Sequence, residues 1–408
     1  MNKQSFSKIK DFFISICSSV LLTGVTQLAV YPLLGRWLDV NTYGAVLTLI
    51  GVVNALGAAF GSSLNNTRIL KQCEYDDKKL VGDFNIISVI CVFFVFALSS
   101  IIVTVILGVY SFESVTLGIV AVCVFFRGYY SANFRIEINY KKYFLSNLFG
   151  VIGYIGGLIV TYFTKIWELT FLFGEFGACI YICIVCKMVR EPFKRTTLFR
   201  STSVQFICFF FATAVSSVIT YLDRFFLYPV LGGESVSIYN TASVLGKVAG
   251  IIISPITGVL LTYYCKEKNL TVGDFIKRIA LYIFFSAVAY LGIVLIGKPI
   301  LRFLYPTIAS ISEPYFYIAN LGAVLLLLGN TIMPTLLRYC KAFWQPIIQV
   351  AFTSSYIIFC FLGMKKGGLY GFCWSVTIVN MLRVMILIII ALFTLIETNK
   401  NKGEKQND

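Results

Sequence analysis
Apolar runs of about 20 residues recur along the whole chain, broken by short clusters of Lys, Arg, Asn, Asp and Gly. At about 1.5 Å per residue such a run crosses a hydrocarbon core of roughly 30 Å. The pattern predicts about twelve transmembrane helices. The first six cover residues 12–34, 43–61, 84–109, 115–134, 145–163 and 167–186, and the second six cover 204–230, 239–263, 276–297, 315–333, 343–363 and 368–395. The first run is too long for a signal-peptide core and no small-residue cleavage pattern follows it, so it is expected to remain as helix 1. The fold class expected is an all-α integral membrane protein of two six-helix bundles, residues 1–196 and 197–408, divided in the basic segment from Lys187 to Arg200.

Composition agrees with the pattern. Hydrophobic residues make up 58% of the 408 and charged residues 13%, at a mean hydropathy of +0.84, whereas soluble domains are about 45–50% apolar. Most of the 34 Lys and Arg fall in alternate connections, while the other side holds only Arg36, Lys165, Lys298, Arg302, Lys365 and Lys366. Basic residues collect in cytoplasmic loops, so both termini are expected in the cytoplasm. This asymmetry accounts for the net charge of +15 without a nucleic-acid partner, for which no motif is present.

The same reading narrows the chemistry. There is no histidine, and the twelve cysteines are scattered, the densest group being Cys179, Cys183 and Cys186. No metal site and no catalytic residue is expected. No connection is long enough for a soluble catalytic domain, and no Gly-rich loop ending in Lys-Ser/Thr points to a nucleotide. Without a cofactor, energy would come from a proton or sodium gradient, or from downhill movement.

The chain also repeats itself. Tyr31-Pro32-Leu33-Leu34-Gly35 returns 197 residues later as Tyr228-Pro229-Val230-Leu231-Gly232, and a tyrosine opens the next helix each time, Tyr43 and Tyr239. Six crossings per half make equivalent helices parallel, the arrangement of transporters whose halves are related by an axis along the membrane normal.

Polar residues inside the spans are the candidate site. A charge at mid-membrane costs about 2.5–3.5 kcal/mol on insertion scales and calls for a wet cavity or a partner. Helix 8 aligns Asn240, Ser243, Lys247 and Ser254 on one face; helix 7 carries Asp223 and Arg224; helix 4 carries Arg127, Ser131 and Arg135. Helix 1 adds Gln27, helix 6 Glu175, and helix 12 Asn380 and Arg383. Arg127, Lys247, Arg383, Arg224, Asn240, Ser243, Gln27 and Asn380 are the substrate-cavity candidates. Asp223 and Glu175 are candidates for ion coupling, with Glu175 equally able to pair with a cation. The competing reading is that hydroxyls and amides tie helices together and that end charges snorkel. The excess of buried cations favours an anionic passenger such as a pyrophosphate head group.

The stretch from Tyr31 to Tyr43-Gly44, with Arg36 and Trp37 between, and the stretch Tyr221-Leu222-Asp223-Arg224 through Gly232 to Tyr239-Asn240 resemble the polysaccharide-export branch of the multidrug/oligosaccharidyl-lipid/polysaccharide (MOP) exporter superfamily, in particular the O-antigen flippases of Wzx type. That resemblance implies a V-shaped pair of MATE-like bundles working by alternating access. It also implies movement of undecaprenyl-pyrophosphate-linked repeat units from the cytoplasmic to the periplasmic face of a bacterial inner membrane. Membrane lipids, a polymerase and chain-length proteins are the partners it suggests. Rival readings are an O-antigen polymerase or other membrane glycosyltransferase, which needs a larger outward loop, and a drug or ion antiporter, which needs a more acidic site.

Overall fold
The computed structural model describes residues 14, 17, 18, 20–108, 112–266, 270–340 and 344–407, and its regular structure there is helical. The start of the first expected span, 12–19, falls largely outside these residues, as does the side chain of Ser254. A π-turn at Thr26–Val30 leads into α1 (Tyr31–Trp37), followed by α2 (Val40–Asp77), α3 (Asp83–Leu107), α4 (Phe112–Tyr130), α5 (Tyr140–Thr164) and α6 (Glu168–Val185). After a basic linker come α7 (Phe199–Thr220), α8 (Leu222–Ala242), α9 (Val244–Lys266), α10 (Val272–Leu304), α11 (Phe316–Tyr339) and α12 (Trp344–Asn407).

Among the described residues nine helices are long and apolar enough to cross a membrane, or ten if the bent pair Leu222–Ala242 and Val244–Ile253 counts as one span. The protein is thus multi-pass. The figure differs from twelve for local reasons. The two last expected spans both lie in α12, where Gly367 and Gly368 leave helical geometry. Gly368 has φ +54, a left-handed conformation that glycine adopts without a Cβ penalty, and the chain doubles back so that Tyr356 meets Phe372, ring centroids 6.4 Å apart. The span expected at 204–230 is broken at Tyr221, between α7 and α8. The span expected at 43–61 runs on to Asp77, because the residues after Gly61 are polar enough to end an apolar window but include no Pro or Gly to stop the helix.

Two compact units emerge, residues 1–34 with 44–228, and residues 35–43 with 229–408. Both copies of the Tyr-Pro repeat sit where the chain passes between units, after Leu34 in the first and after Tyr228 in the second. Their glycines work differently. Gly35 is helical, and a Cβ there would come 3.1 Å from Tyr305, whereas Gly232 breaks α8 at φ +79 with open space around it.

In the first unit the segment between α6 and α7 is docked on the ends of α2 and α3. Arg68 grips Glu191 with two hydrogen bonds of 2.9 and 2.6 Å and lies over the Phe84 ring. Asn85 donates to the Glu191 carbonyl at 2.7 Å, and the buried Asp83 carboxylate accepts from the Thr196 backbone at 2.6 Å and from Tyr75 at 2.7 Å. These groups satisfy backbone carbonyls and amides of a segment whose regular structure is a short 3-10 turn at Lys187–Arg190. Beyond it, α7 stays with this unit through Ser63 against Thr213 and Phe60 against Phe210. The core of the second unit is an apolar cluster of α10, α11 and α12 that includes Phe275, Leu328, Ile332, Ile348 and Leu387.

Candidate functional site
A cavity of about 360 Å³ opens in the first unit, lined by Ser62, Asn65 and Asn66 of α2, Arg127, Gly128 and Ser131 at the end of α4, Arg135 just beyond it, and Tyr143 of α5. Small residues make it possible. A Cβ on Gly57 would lie 2.7 Å from Val124, and one on Gly61 would lie 2.9 Å from the Phe125 carbonyl, so α2 and α4 touch backbone to backbone. The close approach carries Asn65 to the last turn of α4, where helix carbonyls lack partners. Its amide donates to the Gly128 carbonyl at 2.8 Å, to the Tyr129 carbonyl at 3.3 Å and to the Ser131 hydroxyl at 3.0 Å. Capped in this way, α4 ends at Ser131 and presents Arg127 and Arg135 to the same space.

Arg127 is clamped. Its Nε donates to one Glu175 oxygen at 2.6 Å and its Nη2 to the other at 3.2 Å, while the Tyr154 hydroxyl donates to the carboxylate at 2.9 Å. The Glu175 side chain is 4% exposed and that of Arg127 26%, so the pair has a buried acid and a guanidinium that still faces the cavity. A charge-assisted bidentate pair fixes the planar group in one orientation. Arg135 is exposed and forms no ion pair among the described residues. The cavity therefore joins one fixed, neutralised cation to one free to move, beside amide, hydroxyl and phenol groups. That set can bind a phosphate and hydrogen-bond a polyhydroxylated ligand.

The other candidates stand apart from this cavity. In the first unit Arg224 donates to the Leu47 carbonyl at 2.8 Å, with its guanidinium 5.8 and 5.4 Å from the rings of Tyr31 and Tyr221. Asp223 accepts from the Arg224 backbone at 2.9 Å, and Gln27 is half-buried in the π-turn. In the second unit Lys247 donates to Asn240 at 3.3 Å and lies 5.2 Å from the Tyr239 ring, and Ser243 returns its hydroxyl to the Tyr239 carbonyl at 2.8 Å. These flank the 55° bend between α8 and α9. Asn320 of α11 bridges that bend, accepting from Gly246 at 2.8 Å and donating to the Ala242 carbonyl at 2.6 Å. Asn380 donates to the Gly322 carbonyl at 3.2 Å, tying α12 to α11. Arg383 occupies a separate small pocket.

Sequence reasoning overlooked Ser62, Asn65, Asn66, Tyr143 and Tyr154. Ser62, Asn65 and Asn66 share a helical face, but they lie past the point where the apolar window stops. Their signal was a polar stripe continuing an apolar helix. Tyr154 carries none, since a tyrosine inside a span reads as bulk.

No family model matches the sequence, and no curated protein matches it. Solved structures do. A lipid II flippase MurJ in an inward closed conformation aligns with a TM-score of 0.71 at 16% identity, covering 95% of this chain and 87% of that one. A multidrug resistance MATE transporter of the MOP superfamily aligns in its inward-facing conformation with a TM-score of 0.70 at 14% identity, over 96% of this chain and 95% of that one. A MATE transporter in the outward-facing conformation aligns at 0.60 and 14% identity, over 95% of each chain. The polypeptide is thus an all-α, multi-pass membrane protein with the MOP/MATE-like fold.

Proposed function
We propose that this protein is a flippase that moves a lipid-linked oligosaccharide with an anionic head across the bacterial inner membrane by alternating access. Its passenger would be an undecaprenyl-pyrophosphate-linked polysaccharide repeat unit of O-antigen type. The observation that carries the reading is the cavity of the first unit, where Arg127 and Arg135 stand among Asn66, Ser62 and Tyr143. The phosphates would take N–H donors from Arg135 and from the part of Arg127 that Glu175 leaves unused, the sugars would take the amide and hydroxyls, and the polyprenyl tail would stay in lipid. Arg135 lies on the Lys- and Arg-rich side with Lys141 and Lys142, which the basic-residue rule places in the cytoplasm, where such units would be loaded.

The fold supports a cycle of this kind, since its solved relatives include a lipid II flippase and MATE transporters in both inward- and outward-facing conformations. A proton or sodium gradient would drive it, with Asp223 and Glu175 as the candidate coupling acids. Export of a cationic drug fits the site less well, because the Glu175 carboxylate is already taken by Arg127. The test is the pool of lipid-linked units in the bacterium that carries the gene. Deletion should accumulate single units on the cytoplasmic face, wild-type protein should clear them, and Arg135→Gln and Lys247→Ala proteins at normal abundance should clear them slowly. Single units that reach the periplasm unpolymerised in the deletion strain would instead identify a polymerase.

A further inference from the structure
Arg383 lies midway along the second arm of α12, about 20 Å from the Gly368 turn at 1.5 Å per residue, too far to snorkel to either surface. It is 8% exposed, its guanidinium stands 4.7 Å from the Phe352 ring, and its buried Nε has no hydrogen-bond partner. α9, α11 and α12 as far as Glu397 contain no Asp or Glu, and among the described residues Arg383 forms no ion pair. A guanidinium does not shed its proton at neutral pH, so the charge persists in an apolar surrounding that continues into the Ile348, Val384 and Leu387 cluster.

Beside it is a pocket of about 20 Å³, walled by Ile348, Phe352, Val379 and neighbouring apolar groups, whose polar lining is Arg383 and Ser355. That volume holds a single water-sized particle. Thr353, Ser375 and Thr377, on the same helix, return their hydroxyls to the carbonyl four residues back. Ser355 makes no hydrogen bond among the described residues, which leaves its O–H available to an acceptor in the pocket. A cation is repelled by the guanidinium, a phosphate is too large, and a neutral water would leave the charge uncompensated.

We propose that this pocket is a binding site for one halide-sized monovalent anion, chloride in the cell, held by the Arg383 guanidinium and the Ser355 hydroxyl. The ion is a fixed counter-charge within the second unit and is separate from the passenger bound in the first. The test uses the full-length protein in detergent, melted in sodium chloride, sodium bromide and sodium gluconate at equal ionic strength, together with equilibrium binding of radioactive chloride. Chloride and bromide should raise the melting midpoint saturably by several degrees over gluconate, with one chloride bound per chain. Ser355→Ala should weaken chloride binding about tenfold, the worth of one hydrogen bond to an ion, and Arg383→Gln should abolish both effects. Equal wild-type midpoints in chloride and gluconate would overturn the proposal even if Arg383→Gln failed to fold. So would a chloride effect left undiminished by Ser355→Ala and Arg383→Gln.

Discussion

Two arginines inside spans of this protein meet opposite circumstances. Arg127, in the first unit, is bidentate to Glu175, whose carboxylate also accepts from Tyr154, and it borders a cavity of about 360 Å³. Arg383, in the second, has an aromatic ring at 4.7 Å, no ion pair among the described residues and a pocket of about 20 Å³. The same residue type thus serves two ends. Where an acid is supplied, the guanidinium becomes a rigid and nearly neutral wall of a wet site. Where none is supplied, it remains a net charge that a small ion can complete. What distinguishes them is which neighbours the packing brings, a property invisible in either local sequence.

Substitutions can break this contrast, and the largest effect is expected at the acid. Glu175→Ala leaves the Arg127 charge without its carboxylate and should destabilise the protein by about 3 kcal/mol, the lower range for breaking a buried pair because Arg127 is a quarter exposed. Denaturant unfolding in detergent should show the loss, and adding Arg127→Met should recover much of it. Next comes the wall between α2 and α4. Gly61→Leu should cost about 1–3 kcal/mol by overpacking against the Phe125 backbone, and it should reduce flipping in step as Asn65 is pushed from the end of α4.

Arg135→Gln should leave stability within about 0.5 kcal/mol while lowering the rate of unit clearance about tenfold, as expected for one charge-assisted bond to phosphate. Equal losses of stability and transport would make Arg135 a structural residue instead. Arg383→Met, measured in gluconate, should change stability by less than about 1 kcal/mol or increase it, because no partner is orphaned. A loss as large as that of Glu175→Ala would erase the contrast between the units.

The smallest effect concerns the start of α2. Asp39 accepts from the Thr42 backbone at 2.9 Å as its N-cap, and the hydrogen bonds from Thr42, side chain first, hold its carboxyl below the usual range. A depressed carboxyl contributes stability above its unfolded pKa of about 3.9. That contribution fades as pH falls through the folded value. Asp39→Asn should therefore flatten the acid limb of the stability profile slightly, by removing that small contribution at neutral pH and leaving stability below the folded value unchanged.

Much of the fold was legible in the chain itself. Apolar runs long enough to cross a bilayer forced an all-helical membrane protein, since each backbone polar group in lipid must be satisfied within its own segment. The repeat of Tyr31-Pro32 in Tyr228-Pro229 was visible as a sequence match, and it falls at two of the three places where the chain passes between the compact units, although the division was expected between Lys187 and Arg200. The intramembrane polar residues stood out against their apolar neighbours, and Arg127, Ser131 and Arg135 were read together on one face of α4 and do line one cavity. Boundaries were less visible. Hydropathy cannot see a helix continue past its apolar part, so the Ser62 to Asn66 wall was cut off, nor can it see the turns at Tyr221 and Gly368.

What sequence alone determined is the membrane environment, the helical class, the repeat and the list of charges that must find partners or water, because each follows from local composition and spacing along one chain. What only the tertiary structure decided is the pairing: Glu175 with Arg127 across 48 positions, Arg68 with Glu191 across 123, and Arg383 with no ion pair among the described residues. Coulomb attraction and hydrogen bonding act over a few ångströms of space and are blind to chain separation. Which buried charge is neutralised, and which awaits an ion, was therefore settled by how the helices pack.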